Sequence, residues 1–104
     1  MDMKTIQYTH VGSRTYLSSE NIVVIKADFA YSEIFLADGR KVFVSTHLMK
    51  LQQRFGNNMV RVHRSYLLNP KFIIEFRQTS ILTQLGFECP TSRRMRKNIE
   101  KINH

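Results

Sequence analysis

The sequence predicts a mainly β domain with one internal helix and a short C-terminal helix. Several apolar clusters are short and rich in β-branched side chains, such as residues 22–25 and 72–74, and clusters of this length favour strands. Apolar residues recur with helical spacing in two places, residues 45–55 and 91–103. The 104 residues are enough for one domain with a modest core.

The first half of the chain consists mainly of predicted strands. Residues 5–11 alternate apolar and polar side chains, as expected for a strand with one buried face. Residues 22–27 are apolar enough for a strand buried on both faces, and Asp38-Gly39 between two such runs is a hairpin signal. Residues 18–21 are expected to form a turn. The predicted strands of this half are 5–11, 14–17, 22–27, 31–36 and 41–45.

Residues 45–55 predict the internal helix. Ser45 or Thr46 can cap its N-terminus, and Gly56 suits the position after its last turn. Strands follow at residues 59–64, 72–77 and 80–84, and Cys89-Pro90 is expected to be an extended connector. Three apolar side chains share one stripe of the helix, namely Leu48, Leu51 and Phe55.

Residues 91–103 predict the C-terminal helix, with Thr91 or Ser92 as its cap. Arg93 and Arg94 would lie in the first turn, where the helix dipole disfavours cations. An anionic partner at this end would offset that unfavourable interaction. The apolar face of this helix would consist of Met95, Ile99 and Ile102.

The charge of the chain narrows the classes of partner. The net charge is +8, and residues 61–104 hold nine of the 16 basic residues and only three of the eight acidic ones. Such an excess favours nucleic acid, an anionic membrane or an acidic protein as partner. By itself, a basic helix face opposite an apolar stripe is most often only a solvated face.

Other classes of function have little support. The single cysteine, Cys89, excludes an internal disulfide framework, fits a reducing cytoplasm and is expected to be a buried or semi-buried thiol. No apolar run is long enough to span a bilayer. We expect no cofactor, no metal and no enzymatic activity, since the chain has no Gly-rich phosphate loop, no recognisable Ser/His/Asp arrangement and no metal-ligand spacing.

Residues 61–69, Arg-Val-His-Arg-Ser-Tyr-Leu-Leu-Asn, contain the most informative motif. His63-Arg64-Ser65 interrupt an apolar run, which fits a strand that delivers polar side chains to a binding surface, and the positive charge indicates an anionic ligand. His63 could equally be packed against the fold and bonded to backbone. Asn69-Pro70 is expected to form a turn. The aromatic residues expected to pack in the core or between sheets are Tyr8, Tyr16, Phe29, Phe35, Phe43 and Phe72.

Four segments of the chain form a recognisable series. The most specific segment is residues 59–70, Met-Val-Arg-Val-His-Arg-Ser-Tyr-Leu-Leu-Asn-Pro, followed by Pro90-Thr91-Ser92-Arg93-Arg94. The other two lie within residues 22–34 and 38–48. In their order and spacing the four segments resemble the LytTR DNA-binding domain of bacterial response regulators. The chain is therefore interpreted as a single LytTR-like DNA-binding domain over residues 1–104, with a core of about 5–103.

The resemblance implies small stacked antiparallel sheets without a helix-turn-helix, whose loops and strand ends enter successive major grooves. The expected function is sequence-specific binding of double-stranded DNA by a bacterial transcriptional regulator, as the cytoplasmic output module of a two-component system. The domain is expected to be a monomer alone, to bind repeated half-sites as two copies and to have no membrane partner. A receiver domain outside this chain would complete such a regulator.

The resemblance also implies which residues contact DNA. Arginine suits base recognition because its planar fork can bond guanine O6 and N7 together, and it can also grip phosphate. Base reading is expected of Arg64, Arg94, Arg93 (as the alternative to Arg94) and Tyr31. Phosphate or supporting contacts are expected of His63, Ser65, Lys26, Asp28, Ser32, Arg96 and Lys97.

Two other functions compete with DNA binding. A small β-rich RNA-binding module would need exposed aromatic side chains on which bases can stack. A basic protein-interaction or membrane-surface module would be supported only by the basic helix over residues 93–101, which lacks aromatic anchors.

Overall fold

The computed structural model describes residues 5–101 of the chain. Within them, ten short strands form three antiparallel sheets, which is the mainly β architecture that the sequence predicts. The strands are β1 (Thr9–Gly12), β2 (Thr15–Leu17), β3 (Ile22–Asp28), β4 (Tyr31–Leu36), β5 (Lys41–Val44), β6 (Val60–His63), β7 (Tyr66–Leu68), β8 (Ile73–Phe76), β9 (Ser80–Thr83) and β10 (Glu88–Pro90), and the helices are α1 (Leu48–Phe55) and α2 (Arg96–Glu100).

The central sheet has five strands in the order β5-β4-β3-β7-β6. Residues 22–25 of β3 are all buried, as their apolar run predicts, because packed layers cover both faces of the sheet at this point. The predicted Asp38-Gly39 turn joins β4 to β5, and Gly39 has a φ of 92°, which glycine adopts without a Cβ clash. The turn predicted at residues 18–21 is a 3-10 turn that Ser18 caps.

One face of the central sheet is covered by α1 and the β1-β2 hairpin. The predicted stripe of α1 is confirmed, since its three apolar side chains are buried with Ile25, Ile34 and Leu67 of the sheet. The predicted capping by Ser45 or Thr46 is wrong. The helix begins at Leu48 without a side-chain cap.

Thr46 forms hydrogen bonds to distant strands and does not cap α1. Its hydroxyl donates to the carbonyl oxygen of Val11 in β1 at 2.7 Å, and its own carbonyl accepts from Ser32 in β4. These two bonds fix residue 46 between β1 and β4, so the helix starts only after the chain has left this position.

The other face of the central sheet packs against the sheet β10-β9-β8 and α2. Val24 and Leu68 from the central sheet meet Ile81, Cys89 and Ile99 in a second buried cluster. The segment around Cys89, expected to be a connector, is strand β10, and Cys89 pairs with Ile81. The burial of the thiol is confirmed.

The C-terminal helix is shorter than predicted. Its regular part is the five residues of α2, preceded by a turn over residues 93–95. The hydroxyl oxygen of the predicted cap Ser92 accepts from the amide of Met95 at 3.1 Å, so Ser92 caps the turn, whereas α2 itself begins after Met95 without a side-chain cap. Ile99 is fully buried on the predicted apolar face, whereas Ile102 and the predicted end at residue 103 lie outside the described residues.

The first strand begins at Thr9, later than the predicted residue 5. Its partner β2 has only three residues and pairs with Thr9 to Gly12, so residues 5–8 have no strand beside them. The remaining predicted strands agree with the structure to within one residue at each end. Strand β7 was missed, since its three residues form a strand only by pairing with β3 and β6.

Four aromatic residues expected in the core are exposed. Phe43 shows the reason, because alternation along β5 places Val42 and Val44 on the core side and Phe43 on the opposite side. Phe35 and Phe72 do pack against the second buried cluster, as expected. The exposed aromatic residues are Tyr8, Tyr16, Phe29 and Phe43.

None of the helices in residues 5–101 has the length and apolar character needed to cross a membrane.

Candidate nucleic-acid interface

Three predicted DNA-contacting segments meet at one end of the central sheet. The first is the tip of the β3-β4 hairpin, where Phe29 and Ala30 connect the strands. The second is the two-residue turn Arg64-Ser65 between β6 and β7. The amide of Ala27 donates to the carbonyl oxygen of Ser65 at 2.8 Å and so joins the two hairpins.

The third segment, residues 91–94, is joined to the same end by backbone hydrogen bonding. The amide of Ser92 donates to the carbonyl oxygen of Val62 in β6 at 2.9 Å. The side-chain amide of Asn98 in α2 donates to the carbonyl oxygen of Arg61 at 2.9 Å. Segments that lie about 30 residues apart in the sequence are thus held beside one another.

Arg64 is exposed at the hairpin turn. The motif around it is a complete β-hairpin and not only the end of one strand. Arg93 and Arg94 are also exposed. Within residues 5–101 none of these three guanidinium groups has a hydrogen-bond or ion-pair partner, so each is free to bind an anion or a base edge.

Arg61 holds the turn that presents Arg64, and the sequence analysis assigned it no role. Its Nε donates to the carbonyl oxygen of His63 at 2.9 Å, its Nη2 to the carbonyl oxygen of Arg64, and its Nη1 to Oε1 of Gln52 at 3.1 Å. Burial lowers the pKa of Arg61, yet a guanidinium stays charged in proteins. The sequence signal was a lone cation between two buried valines of a strand.

His63 is packed, as one of its two interpretations predicted. Its Nδ1 accepts from the amide of Ser65 at 3.1 Å, which leaves the proton of the neutral ring on Nε2, and the ring meets Tyr66 edge-on. Burial, followed by the neighbouring charges of Arg64 and Arg61, lowers the pKa of His63. Neutral His63 can still donate one hydrogen bond from Nε2.

The residues of the β3-β4 hairpin that are predicted to contact DNA differ in their exposure. Asp28 and Tyr31 are exposed and face each other across the two-residue loop. Lys26, two residues before Asp28, is half-buried. Ser32 is only 1% exposed, and its hydroxyl donates to the carbonyl oxygen of Thr46 at 2.6 Å. The expected DNA contact of Ser32 is therefore corrected to a packing role.

The two basic residues of α2 that are predicted to contact phosphates also differ in their exposure. Arg96 donates to the carbonyl oxygen of Gln78 at 3.0 Å and lies over the ring of Phe76, 5.7 Å from its centroid. Its Nε is 3.7 Å from a carboxylate oxygen of Glu100. Arg96 thus joins α2 to the β8-β9 hairpin, and its predicted phosphate contact stays a prediction. Lys97 is exposed and remains available.

A family model described as the LytTr DNA-binding domain matches residues 12–103 of the chain. The chain belongs to the LytTR family. The match confirms the resemblance found in the sequence, and it supports DNA binding and transcription regulation in general as the work of this domain.

A solved structure shows the same fold as this LytTR domain. It is the LytTr DNA-binding domain of a Bacillus cereus protein described as a methyl-accepting/DNA response regulator, with a TM-score of 0.74 and 12% identity. The similarity covers 97% of this chain and 98% of that one. A comparison with curated proteins gives no match.

The candidate interface of this LytTR domain combines two kinds of group, exposed cations and a hairpin tip without a cation. Arg64, Arg93, Arg94 and Lys97 present positive charge, which provides attraction to phosphates of any sequence. The tip of the β3-β4 hairpin has no cation among residues 28–31. The cations are suited to bind the DNA backbone or guanine edges, whereas the tip of the β3-β4 hairpin exposes a carboxylate and aromatic rings.

Proposed function

We propose that this LytTR domain recognises specific sequences in double-stranded DNA and regulates transcription in bacteria. The observation that carries the proposal is the β6-β7 turn, where Arg61 fixes the backbone and Arg64 is exposed without a partner among the described residues. An unpaired guanidinium on a fixed turn is suited to base recognition because the geometry of its fork matches guanine O6 and N7.

In this proposal the loops and strand ends enter the major groove, and no helix serves as a recognition element. Arg64 and Arg94 (or its neighbour Arg93) read base edges, and Tyr31 joins them from the hairpin tip. The described α2 has only five residues, which is short for a helix that lies along a groove.

Asp28 accepts from a base or a water, whereas the other supporting groups contact phosphates. These are the Nε2 of His63, the Ser65 turn, Lys26 and Lys97, which position the DNA backbone. Contacts of this kind set register and orientation on the duplex but carry no sequence information.

The wider setting follows from the same proposal. Two monomers bind repeated half-sites side by side, and the domain is the cytoplasmic output module of a two-component system whose receiver domain lies outside these 104 residues. The description of the similar Bacillus cereus protein as a response regulator supports this setting.

The first test is to select a preferred duplex from a random pool and to measure affinity by fluorescence anisotropy over a range of salt. We expect a repeated motif, bound far more tightly than scrambled DNA. Arg64→Ala should cost about 1–3 kcal/mol on the selected site and relax base preference at one position. Arg64→Lys should keep much of the salt-dependent term and lose the base preference, because an ammonium lacks the planar fork.

Arg40→Ala is the matched control. Arg40 is exposed in the β4-β5 turn, at the opposite end of β4 from the hairpin tip, and within residues 5–101 its guanidinium pairs with Asp38 alone. The substitution Arg40→Ala removes the same charge as Arg64→Ala and leaves the residues of the candidate interface unchanged. Equal losses for Arg64→Ala on selected and random DNA would contradict base reading, and equal affinity for single-stranded RNA in competition would favour the RNA-binding alternative.

A further inference from the structure

We propose that Phe29 is a specificity-determining residue that packs against the C5-methyl group of a thymine in the major groove. This inference rests on the proposed function and adds a chemical preference, apolar contact with thymine, at a position to which sequence analysis gave a core role.

The exposure of Phe29 is the first observation. Its side chain is 100% exposed, whereas the next most exposed large hydrophobic residue of the described chain, Met49, is 66% exposed. An apolar ring that contacts nothing in its own domain contributes no packing to the fold, and its whole surface is available to a partner.

The backbone of Phe29 is the second observation. Its φ is 53°, in the left-handed region that glycine, asparagine and aspartate favour in two-residue hairpin loops. A glycine here would remove both the exposed ring and the strained backbone. Neither the stability of the hairpin nor the geometry of the turn therefore explains an aromatic residue at position 29.

The position of Phe29 links it to the DNA interface. It occupies the tip of the β3-β4 hairpin, at the end of the sheet where the amide of Ala27 donates to the carbonyl oxygen of Ser65. Ser65 follows Arg64 in the neighbouring turn. A duplex engaged by Arg64 therefore lies beside the hairpin that carries Phe29.

The chemistry of the tip selects base edges over phosphates. Residues 28–30 contain the carboxylate of Asp28 and no cation, and the carboxylate repels phosphate oxygens. In the floor of the major groove, a carboxylate can accept from cytosine N4, and the thymine methyl is the apolar group that a phenyl ring can cover. The tip of this hairpin matches the groove floor in both respects.

The test uses deoxyuridine, which lacks only the C5-methyl group of thymidine. Each thymine of the selected site is replaced in turn, and affinity is measured for the wild type and for Phe29→Ala. We expect one replacement to weaken wild-type binding by roughly three- to fivefold, the effect of one buried methyl group. Phe29→Ala should bind the thymine and uracil forms of that position equally.

Two further variants make the result specific. Phe43→Ala removes an equally large exposed ring from β5 and should keep the wild-type response to deoxyuridine. Phe29→Gly relieves the backbone at φ 53° and should fold at least as stably as the wild type while losing the thymine preference. Thermal unfolding of each variant separates a loss of contact from a loss of fold.

Several outcomes would overturn the inference. If Phe29→Ala keeps the wild-type affinity, or responds as strongly as the wild type to the same deoxyuridine, Phe29 does not contact the thymine methyl group. Bright 2-aminopurine fluorescence that depends on Phe29 would identify a wedge between bases, and a Phe29-dependent change in self-association without DNA would identify a second copy as the partner. In these cases wild-type specificity for DNA persists, whereas a wild type that selects no motif would overturn the proposed function itself.

Discussion

At the scale of single residues, the most consequential contact is the one made by Arg61. Its three donors reach two carbonyl oxygens of the turn and one side chain of α1. Hydrogen bonds to charged groups contribute about 1.5–3 kcal/mol, and here they fix the orientation in which Arg64 is displayed. Arg61 is thus a positioning residue that acts through Arg64.

We therefore expect Arg61→Met to reduce discrimination between the selected site and random DNA by roughly tenfold, with a smaller loss on random DNA. Arg61→Lys should not restore it, because one ammonium cannot reach three acceptors in different directions. The measurement is the ratio of the two dissociation constants, supported by NMR shifts of the Arg64 and Ser65 amides in the free domain.

Arg54→Met is the control for Arg61. Its guanidinium also donates to a backbone carbonyl oxygen, that of His10 at 3.2 Å, but it joins α1 to β1. The ratio should stay unchanged in this variant. An equal fall in Arg54→Met and Arg61→Met would mean that general loosening of the fold, and not the turn, sets the discrimination.

At the scale of elements, the connections decide where strands begin and end. Asn69 is 3% exposed, and its Nδ2 donates to the carbonyl oxygens of Ser19 and Ile22, at 2.7 and 3.0 Å. Its Oδ1 accepts from the amide of Lys71 at 3.0 Å. One side chain therefore joins the start of β3 to the segment after β7, as well as capping the turn that the sequence predicted at Asn69-Pro70.

We expect Asn69→Ala to lower the free energy of unfolding by about 1–3 kcal/mol, because it removes two hydrogen bonds to backbone carbonyl oxygens, of which the bond to Ile22 is buried. Urea denaturation followed by circular dichroism measures the change. Asn57→Ala, at an exposed position of the turn after α1, should change the value by no more than about 0.5 kcal/mol. A comparable effect of both variants would contradict the bridging role of Asn69.

At the scale of the whole molecule, the central sheet separates two buried clusters, one under α1 and one under the β10-β9-β8 sheet and α2. The second cluster supports the segment that carries Arg93 and Arg94. Cys89 lies inside it, and burial raises the pKa of its thiol to about 12. The thiol is protonated at neutral pH and shielded from reagents, since the thiolate is the nucleophile.

Cys89 should consequently report the opening of this cluster. We expect the native domain at pH 8 to react with a thiol reagent on the order of 10³-fold more slowly than in urea, because reaction requires both exposure and ionisation. Stopped-flow absorbance measures the two rates, and Cys89→Ser provides the blank. A native rate equal to that of a free thiol would show that the cluster does not shield position 89.

The sequence by itself determined the mainly β fold, most strand positions and the stripe of α1, because these depend on the local alternation and spacing of apolar residues. It also located Arg64, Arg93 and Arg94 within a recognisable motif. The tertiary structure alone decided the start of α1, the strand at residues 66–68 and the strand at Cys89, since each depends on partners far along the chain.

The same distinction applies to the interface. Residue type identified the cations, but only the fold showed that Arg96 and Ser32 have internal partners and that Arg61 holds the turn. Phe29 was expected in the core because aromatic residues usually pack there, yet the tip of a two-residue hairpin leaves its ring in solvent. Composition and spacing specify what a side chain can bind, whereas contacts across the fold decide which side chains remain free to bind it.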